Sequence, residues 1–583
     1  MHRKKIFWVV VALLLGLLPN LVWGLVGVPA NAFKLGVAPN LALLIGCMAW
    51  AGRRPGAVIL FLLPFSLLVP AECYYIWNFQ GPSSVHVLGV LGETNLREAR
   101  EYIGDGSLLA LLASSVFSLV FFIIALKNVG LRYLFPAARA WRWVGVAAMF
   151  PVLSLFAFES SLALRSTEND VPSAWGGAQS QQFGIMLRNV NFKVSDVLGP
   201  GFPFGVPLRF WSYAQERQRL LDAKNIVDGI QVSASNQEGS AEKATLILVI
   251  GESANSENWG VNGYARDTTP QVAAMADAVS LRNVVTPWTA TRLSVPVLLT
   301  GQQDRISGMS PLEAPSLLAI FRAAGWKTYW LSNQAPLGQH DSAIGLYAAQ
   351  ADVVRYFSVA DFNSTANTDD VLIKPVLKVL KSDLSPRKLI VVHLLGSHVE
   401  YHFRYPSSFN RFQPSGTDSS EPGELKTLMN SYDNSIFFTD YLLAQFVGLL
   451  NKNSGNENSS LIYVSDHGQA LPTYECPQWG HSHIAETTYR VPAMIWMSKE
   501  SQRSHKGALA RLKAVRDQPL HTSQVFDTVI DLAKIETSSM QLQKSWISPE
   551  WRPARRLIRA GADFDEIRFG GSCRTAQTSI ERR

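Results

Sequence analysis

At 583 residues the chain is longer than one ordinary domain and has material for a large core. Hydrophobic residues make up 47% and the mean hydropathy is positive, which is high for a wholly soluble chain. The net charge of +7 partly reflects residues flanking apolar spans and argues little for nucleic acid, while four cysteines are too few for a disulfide scaffold.

Apolar residues crowd into the first 165 positions, in five spans: Ile6–Val26, Leu35–Trp50, Ala57–Ile76, Leu108–Leu126 and Val144–Leu164. Each is near the ~20 residues that cross a bilayer, the second being short. "VPANA" after the first span mimics a signal-peptide cleavage site, but the later spans make a multi-span protein either way. Basic residues set the orientation. Arg3, Lys4 and Lys5 precede the first span, Arg53 and Arg54 follow the second, and Lys127, Arg132, Arg139 and Arg142 follow the fourth. The positive-inside rule then makes the N-terminus cytoplasmic and places everything after about residue 165 outside the inner membrane, where nucleic acid is rarely met. Cys47 and Cys73 fall in apolar spans. Cys476 and Cys573 lie outside, where a disulfide can form, though sequence carries no distance between them.

Residues 166–242 form a connector with polar stretches. Within it "FWSYAQERQRLLDAKNIVDGI" reads as an amphipathic helix, able to lie on a membrane surface or to pack as an ordinary helix. The remainder, 243–583, alternates strand-like and helical patterns. "ATLILVIG", "WKTYWLSN", "KLIVVHLLG", "LIYVSD" and "VPAMIWM" are near-continuous apolar runs, as for strands covered on both faces. "SLLAIFRAAG" and "SIFFTDYLLAQFVGLLNK" supply helices between them, so an α/β domain is expected.

Three strand-like runs end in reactive groups: Gly251-Glu252-Ser253, Gly396-Ser397-His398 and Ser465-Asp466-His467. One carboxylate after a strand is usually a helix cap or surface group. Three such ends in one α/β domain point to a single site at the carboxyl edge of the sheet. Glu252, Asp466 and His467 supply hard oxygens and an imidazole, a set suited to zinc or manganese with a position left open. The stretch "NVVTPWTATRLSVPVLLTG" offers hydroxyl nucleophiles that a metal would activate and a helix start that would hold a phosphate. On chemistry alone Thr289, Thr291, Ser294 and Ser253 all qualify.

The stretches "VIGESANSENWGVNGYARDTTPQ", "TATRLSVPVLLTG", "HLLGSHVEYHFRYP", "YDNSIFFTDYLLAQF" and "YVSDHG" resemble the phosphoethanolamine transferases of Gram-negative inner membranes, in the alkaline phosphatase/sulfatase superfamily. The likeness extends over essentially the whole chain and looks closest to the branch that modifies lipopolysaccharide core sugars or lipid A. It implies a multi-span α-helical membrane domain, 1–165, followed by an α/β alkaline-phosphatase-like catalytic domain in the periplasm. It implies transfer of phosphoethanolamine from phosphatidylethanolamine to lipopolysaccharide or another surface glycan, by a zinc enzyme working through a covalent threonine intermediate. Phosphoglycerol transfer or ester hydrolysis is the neighbouring alternative, although "TATRLS" lacks the proline of the sulfatase nucleophile pattern.

By the same resemblance Glu252, Thr291, Asp466 and His467 hold zinc, and Thr291 is also the nucleophile, with Ser253 next in line. His398 stands near the phosphate and leaving group. A second such histidine is His481 or His483, His481 being favoured. Thr94 and Glu98 match a pattern that meets the ethanolamine head group, a carboxylate suiting an ammonium; a solvated helix face is the bland alternative. Asn333, Gln334 and His340 fall where relatives hold substrate with serine and lysine. His393 reads as packed core, and His402 as substrate-facing or merely exposed. Trp288 and Val297 occupy places where many lipid A relatives carry cysteines.

Overall fold

The structure is a computed structural model that describes residues 2–26, 32–50, 54–79, 82–83, 105–134, 143, 198–303, 313–334, 342–357, 368–416, 423–453, 457–476, 480, 485–558 and 561–576. The chain divides into two compact units, Met1–Glu216 and Arg217–Arg583.

The first unit is built of apolar helices. Among the described residues one helix, Leu109–Val129, is by itself long and apolar enough to cross a membrane. Two more spans arise if each of two bent pairs counts as one: Arg3–Gly16 with Leu18–Val26, bent by 51°, and Pro55–Ser66 with Val69–Trp77, bent by 58°. Both bends have a chemical cause. Pro19 and Pro70 are the second residues of their helices, and neither can donate to the carbonyl four residues back. Ala38–Ala49 is a shorter apolar helix. The expected span Val144–Leu164 and most of the connector's first half lie outside the described residues. Glu72, buried at the start of the helix Val69–Phe79, accepts from Arg209 Nη1 at 2.9 Å and from the Ser83 hydroxyl at 2.6 Å. A carboxylate in an apolar helix is thus paired rather than bare. The connector's expected helix forms over Gly205–Asp228.

The second unit holds an eight-stranded sheet: β1 (Ala244–Gly251), β2 (Ala278–Val285), β3 (Lys327–Ser332), β4 (Val353–Tyr356), β5 (Arg387–His393), β6 (Asn458–Ser465), β7 (Arg490–Met497) and β8 (Leu520–His521). Its order is β4-β3-β5-β1-β6-β7-β2-β8. β1 is parallel to both β5 and β6, whereas β7 runs antiparallel to β6 and β2. Every residue of β1 and of β6 is buried. Leu246, Leu248 and Ile250 enter one core with the helices α1 (Thr291–Thr300), α2 (Leu317–Ala323) and, later in the chain, Gln524–Ala533. Ile247 and Val249 enter the other, with α3 (Leu425–Asn453). Alternate side chains of one strand therefore feed two cores, which is why its sequence is apolar but for Thr245.

The five expected strands form. β2, β4 and β8 were not expected. β2 alternates buried and part-exposed positions through Ser280, Arg282 and Asn283, and the other two are short and lie at the sheet's edges. β5 ends on His393, which is buried as expected and lies 3.2 Å from Ser332 Oγ through Nδ1. Burial pushes this imidazole down to about 4. A histidine kept neutral in the folded state costs nothing above its unfolded pKa of about 6.5 and destabilises as pH falls from there to about 4. His393→Gln should therefore gain stability relative to the parent over that window, by up to ~1.4 kcal/mol per pH unit, in denaturant unfolding between pH 8 and pH 4.

Candidate metal centre

β5, β1 and β6 are neighbours in register, Ile250 lying between His393 and Val464, so their three polar ends emerge side by side. Backbone bonds tie the ends together: Asp466 N–H donates to Gly251 O at 3.1 Å, and Ser397 N–H donates to Glu252 O at 2.9 Å. The crossing is tight. Gly396 has φ +55°, and a Cβ there would stand 2.8 Å from both Glu252 N and Glu252 O. Gly396→Ala should lower stability by about 2–4 kcal/mol, from left-handed strain plus overpacking, and should weaken metal binding by displacing Glu252. Thermal melting with and without metal checks both effects.

Thr291 comes from farther away, as the first residue of α1. Its Oγ1 donates to Glu252 Oε2 at 3.0 Å and lies 3.3 Å from His467 Nε2. Glu252 Oε1 accepts from Ser253 Oγ at 2.6 Å and stands 3.2 Å from His467 Nε2. His467 Nδ1 can only donate to its partner, the Gly468 carbonyl at 2.9 Å, so in the neutral ring Nε2 presents a lone pair to the centre. Asp466 Oδ1 accepts from Ser253 N–H at 3.1 Å and from the His467 N–H at 2.6 Å, while Oδ2 is buried, stands 3.5 Å from His467 Nε2 and accepts no hydrogen bond among the described residues. One ligand atom from each of Glu252, Asp466 and His467 lies within 4.8 Å of the others, and all three residues are buried.

The charges are frustrated without a cation. Burial, reinforced by the Glu252 charge, pushes Asp466 up to about 8. Burial opposes protonation of His467, yet the Asp466 and Glu252 charges outweigh it and raise the ring to about 9. Burial likewise works to raise Glu252, but the His467 charge and hydrogen bond hold it well below the usual carboxylate range. The centre retains protons to offset crowded negative charge, and a divalent ion would replace them. Two carboxylates, an imidazole lone pair and a hydroxyl fit zinc.

The four hydroxyl candidates separate. Ser294 is buried and donates to Ala290 O at 3.1 Å. Ser253 is 1% exposed and Thr289 7%. Thr291 is part-exposed and, of the four, alone touches both Glu252 and His467. His398 is pushed down to about 4 by burial, against the Glu252 charge, and Arg404 Nε donates to its carbonyl at 3.3 Å. His402 packs against Phe403. Thr94, Glu98, His340, His481 and His483 lie outside the described residues.

Asn333, expected near substrate, bonds to a buried carboxylate. It is completely buried, and its Nδ2 donates to Asp369 Oδ1 at 2.9 Å. Asp369 also accepts from the N–H groups of Leu395, at 2.9 Å, and Gly396, at 2.8 Å. Asn333 thus braces the turn that leads to His398. Among the described residues of this loop, Gln334 reaches the centre, its Nε2 donating to Glu252 Oε2 at 3.1 Å. A polar pair directly after a strand, the feature that marked the other three ends, was present in "LSNQ" as well. On the flank beyond His467, Cys476 is bonded to Cys573, 97 residues later, with Cα atoms 5.0 Å apart. Next to it Arg574 pairs with Glu257 and Glu486, at 2.7 and 2.6 Å.

A family model described as Sulfatase matches residues 244–535. Phosphoethanolamine transferase EptC of Escherichia coli (strain K12) is 26% identical over 555 residues, covering 91% of this chain and 87% of its own length. Phosphoethanolamine transferase CptA of Salmonella typhimurium is 26% identical over 549 residues, covering 90% of this chain and 89% of its own. Among solved structures, the C-terminal periplasmic domain of Escherichia coli EptC in complex with Zn aligns with a TM-score of 0.52 at 27% identity, covering 59% of this chain and 99% of that domain.

Proposed function

The chain belongs to the sulfatase family, and from that premise we infer that it is a zinc-dependent phosphoethanolamine transferase that modifies lipopolysaccharide. The observation that carries the mechanism is the part-exposed Thr291 hydroxyl in contact with both Glu252 and His467. Glu252, Thr291, Asp466 and His467 would hold the zinc ion, which when bound lowers the pKa of a coordinated hydroxyl and neutralises charge on phosphoryl oxygens.

The chain's own residues do the rest. Thr291 Oγ1 gives up its proton and attacks the phosphorus of phosphatidylethanolamine. An Oγ1–P bond forms, the P–O bond to the glyceryl group breaks, and diacylglycerol leaves with a proton. An acceptor hydroxyl on lipopolysaccharide or another glycan then attacks phosphorus, the Oγ1–P bond breaks, and the acceptor's proton restores Thr291. Thr291 opens α1, and the start of a helix suits anionic oxygens such as those of the phosphoryl group. By the family likeness we assign His398, kept neutral, and His481, with His483 as the alternative, to the phosphate and leaving group, and Thr94 and Glu98 to the ethanolamine ammonium.

In this reading residues 1–165 are the membrane domain with a cytoplasmic N-terminus, 166–242 the connector and 243–583 the periplasmic catalytic domain. The apolar helices of the first unit and the basic residues beside them support it. Donor and lipid-linked acceptor both lie in the bilayer plane, which gives the membrane domain its purpose. The test is the intact mass of the full-length zinc protein after incubation with phosphatidylethanolamine. A gain of one phosphoethanolamine unit is expected, with none from phosphatidylglycerol; the reverse would make the chain a phosphoglycerol transferase.

A further inference from the structure

Gln334 has no place in the mechanism above, yet it is buried at the centre. It follows β3, which pairs with β5 up to Ser332 and His393, so the residues after both strands run side by side. Its backbone N–H donates to Ser332 Oγ at 3.0 Å, which folds the loop back over the strand end. Its side-chain Nε2 donates to Leu394 O at 2.7 Å and to Glu252 Oε2 at 3.1 Å. Both partners are acceptors only, so the two hydrogens of the amide are committed and its orientation is fixed. Glu252 is consequently gripped on both oxygens, by Ser253 Oγ on Oε1 and by Gln334 on Oε2, the oxygen that also receives Thr291.

We propose that Gln334 is a positioning residue that sets the Glu252 carboxylate for zinc. A glutamate has three rotatable side-chain bonds, and immobilising them on metal binding opposes the binding. An amide anchored on the Leu394 carbonyl, just past β5, removes that freedom beforehand. It leaves the remaining lone pairs of Glu252 facing Thr291 and His467. Asn333 and Gln334 then divide the work of one loop: the first braces the turn leading to His398, the second a metal ligand. The proposal rests on the zinc reading of the site, and partners of this kind are typically worth 10–100-fold in metal affinity.

The test compares full-length wild type with Gln334→Met, which keeps the length and flexibility of the side chain but cannot donate. Zinc affinity is measured by competition with a chromogenic chelator, alongside melting of the zinc-free proteins. Zinc binding 10–100-fold weaker is expected, with transfer recovering at saturating zinc and the KM for donor within about twofold of wild type. Should the methionine variant lack a cooperative zinc-free melt, Gln334→Asn takes its place, being one methylene too short to reach Glu252, with the same weakening expected. A folded variant whose zinc affinity stays within about threefold of wild type overturns the proposal, even if its melting temperature drops, because that marks a role in packing alone. Wild-type protein that takes up no zinc overturns the reading of the site and the proposal with it. Wild type that binds zinc and forms the adduct beside an unaffected variant overturns the proposal only.

Discussion

Thr291→Ala is expected to abolish the phosphoethanolamine adduct and to lower transfer by on the order of 10⁴-fold or more, the scale on which loss of a covalent nucleophile is felt. The alternatives nearby are poorly placed to rescue it. Ser253 Oγ is buried and already donates to Glu252 Oε1 at 2.6 Å, and its own backbone is held at φ +56°. Ser294 is sealed beneath the first turn of α1. A variant that still gains the mass of the adduct would move the nucleophile elsewhere, Ser253 first. Thr291→Ser keeps the oxygen and removes only a methyl group, so it should retain the adduct while transferring more slowly. Intact mass of both variants after incubation with donor, set beside their turnover, distinguishes loss of the nucleophile from loss of the fold.

Removing zinc with a strong chelator should be as damaging, and reversible on adding the ion back. Glu252, Asp466 and His467 are buried together, so without the ion the centre must hold protons to offset its crowded carboxylates. At zinc about 1,000-fold above its dissociation constant, the bound ion should contribute roughly 4 kcal/mol to stability. Asp466→Ala should lose most of that increment together with activity, and melting with and without zinc measures it. The pH dependence has a definite sign. Without zinc, Asp466 keeps its proton to about 8 and His467 to about 9. Zinc must displace those protons, so its apparent affinity should rise with pH toward about 9 and weaken steadily as pH falls below 8. An affinity that is flat from pH 6 to pH 9 would contradict the protonation of the metal-free site.

The catalytic centre was legible because its chemistry sits where strands end. β1, β5 and β6 are buried almost throughout, so each carries a near-continuous apolar run, and the polar residues that follow these runs mark the carboxyl edge. What could not be read was which strands are neighbours, and hence that Gln334 after β3 reaches Glu252. That depends on pairing across more than 60 residues of sequence, between β3 and β5. Asn333 carried the right polarity for a substrate contact, but the buried Asp369 claims it, and neither residue's burial shows in a local pattern. β2 was missed because Arg282 and Asn283 break its apolar run, Arg282 facing solvent. The apolar stretches of the first unit were legible as hydropathy and not as shape, since Pro19 and Pro70 stand where two pairs of helices bend. Cys476 and Cys573 were recognised as able to pair, but only the fold supplied a Cα separation of 5.0 Å.

The same bond sets an order of events during biosynthesis. Asp466 and His467 leave the ribosome more than 100 residues ahead of Cys573, so in a chain threaded outward they arrive first, and the loop just beyond them stays untied. Zinc can therefore meet its complete ligand set before the thiol that closes the flank has been exported. In the proposed periplasmic setting, a cell with failing oxidation there would accumulate molecules that are metal-loaded but lack the covalent tie between Cys476 and Cys573.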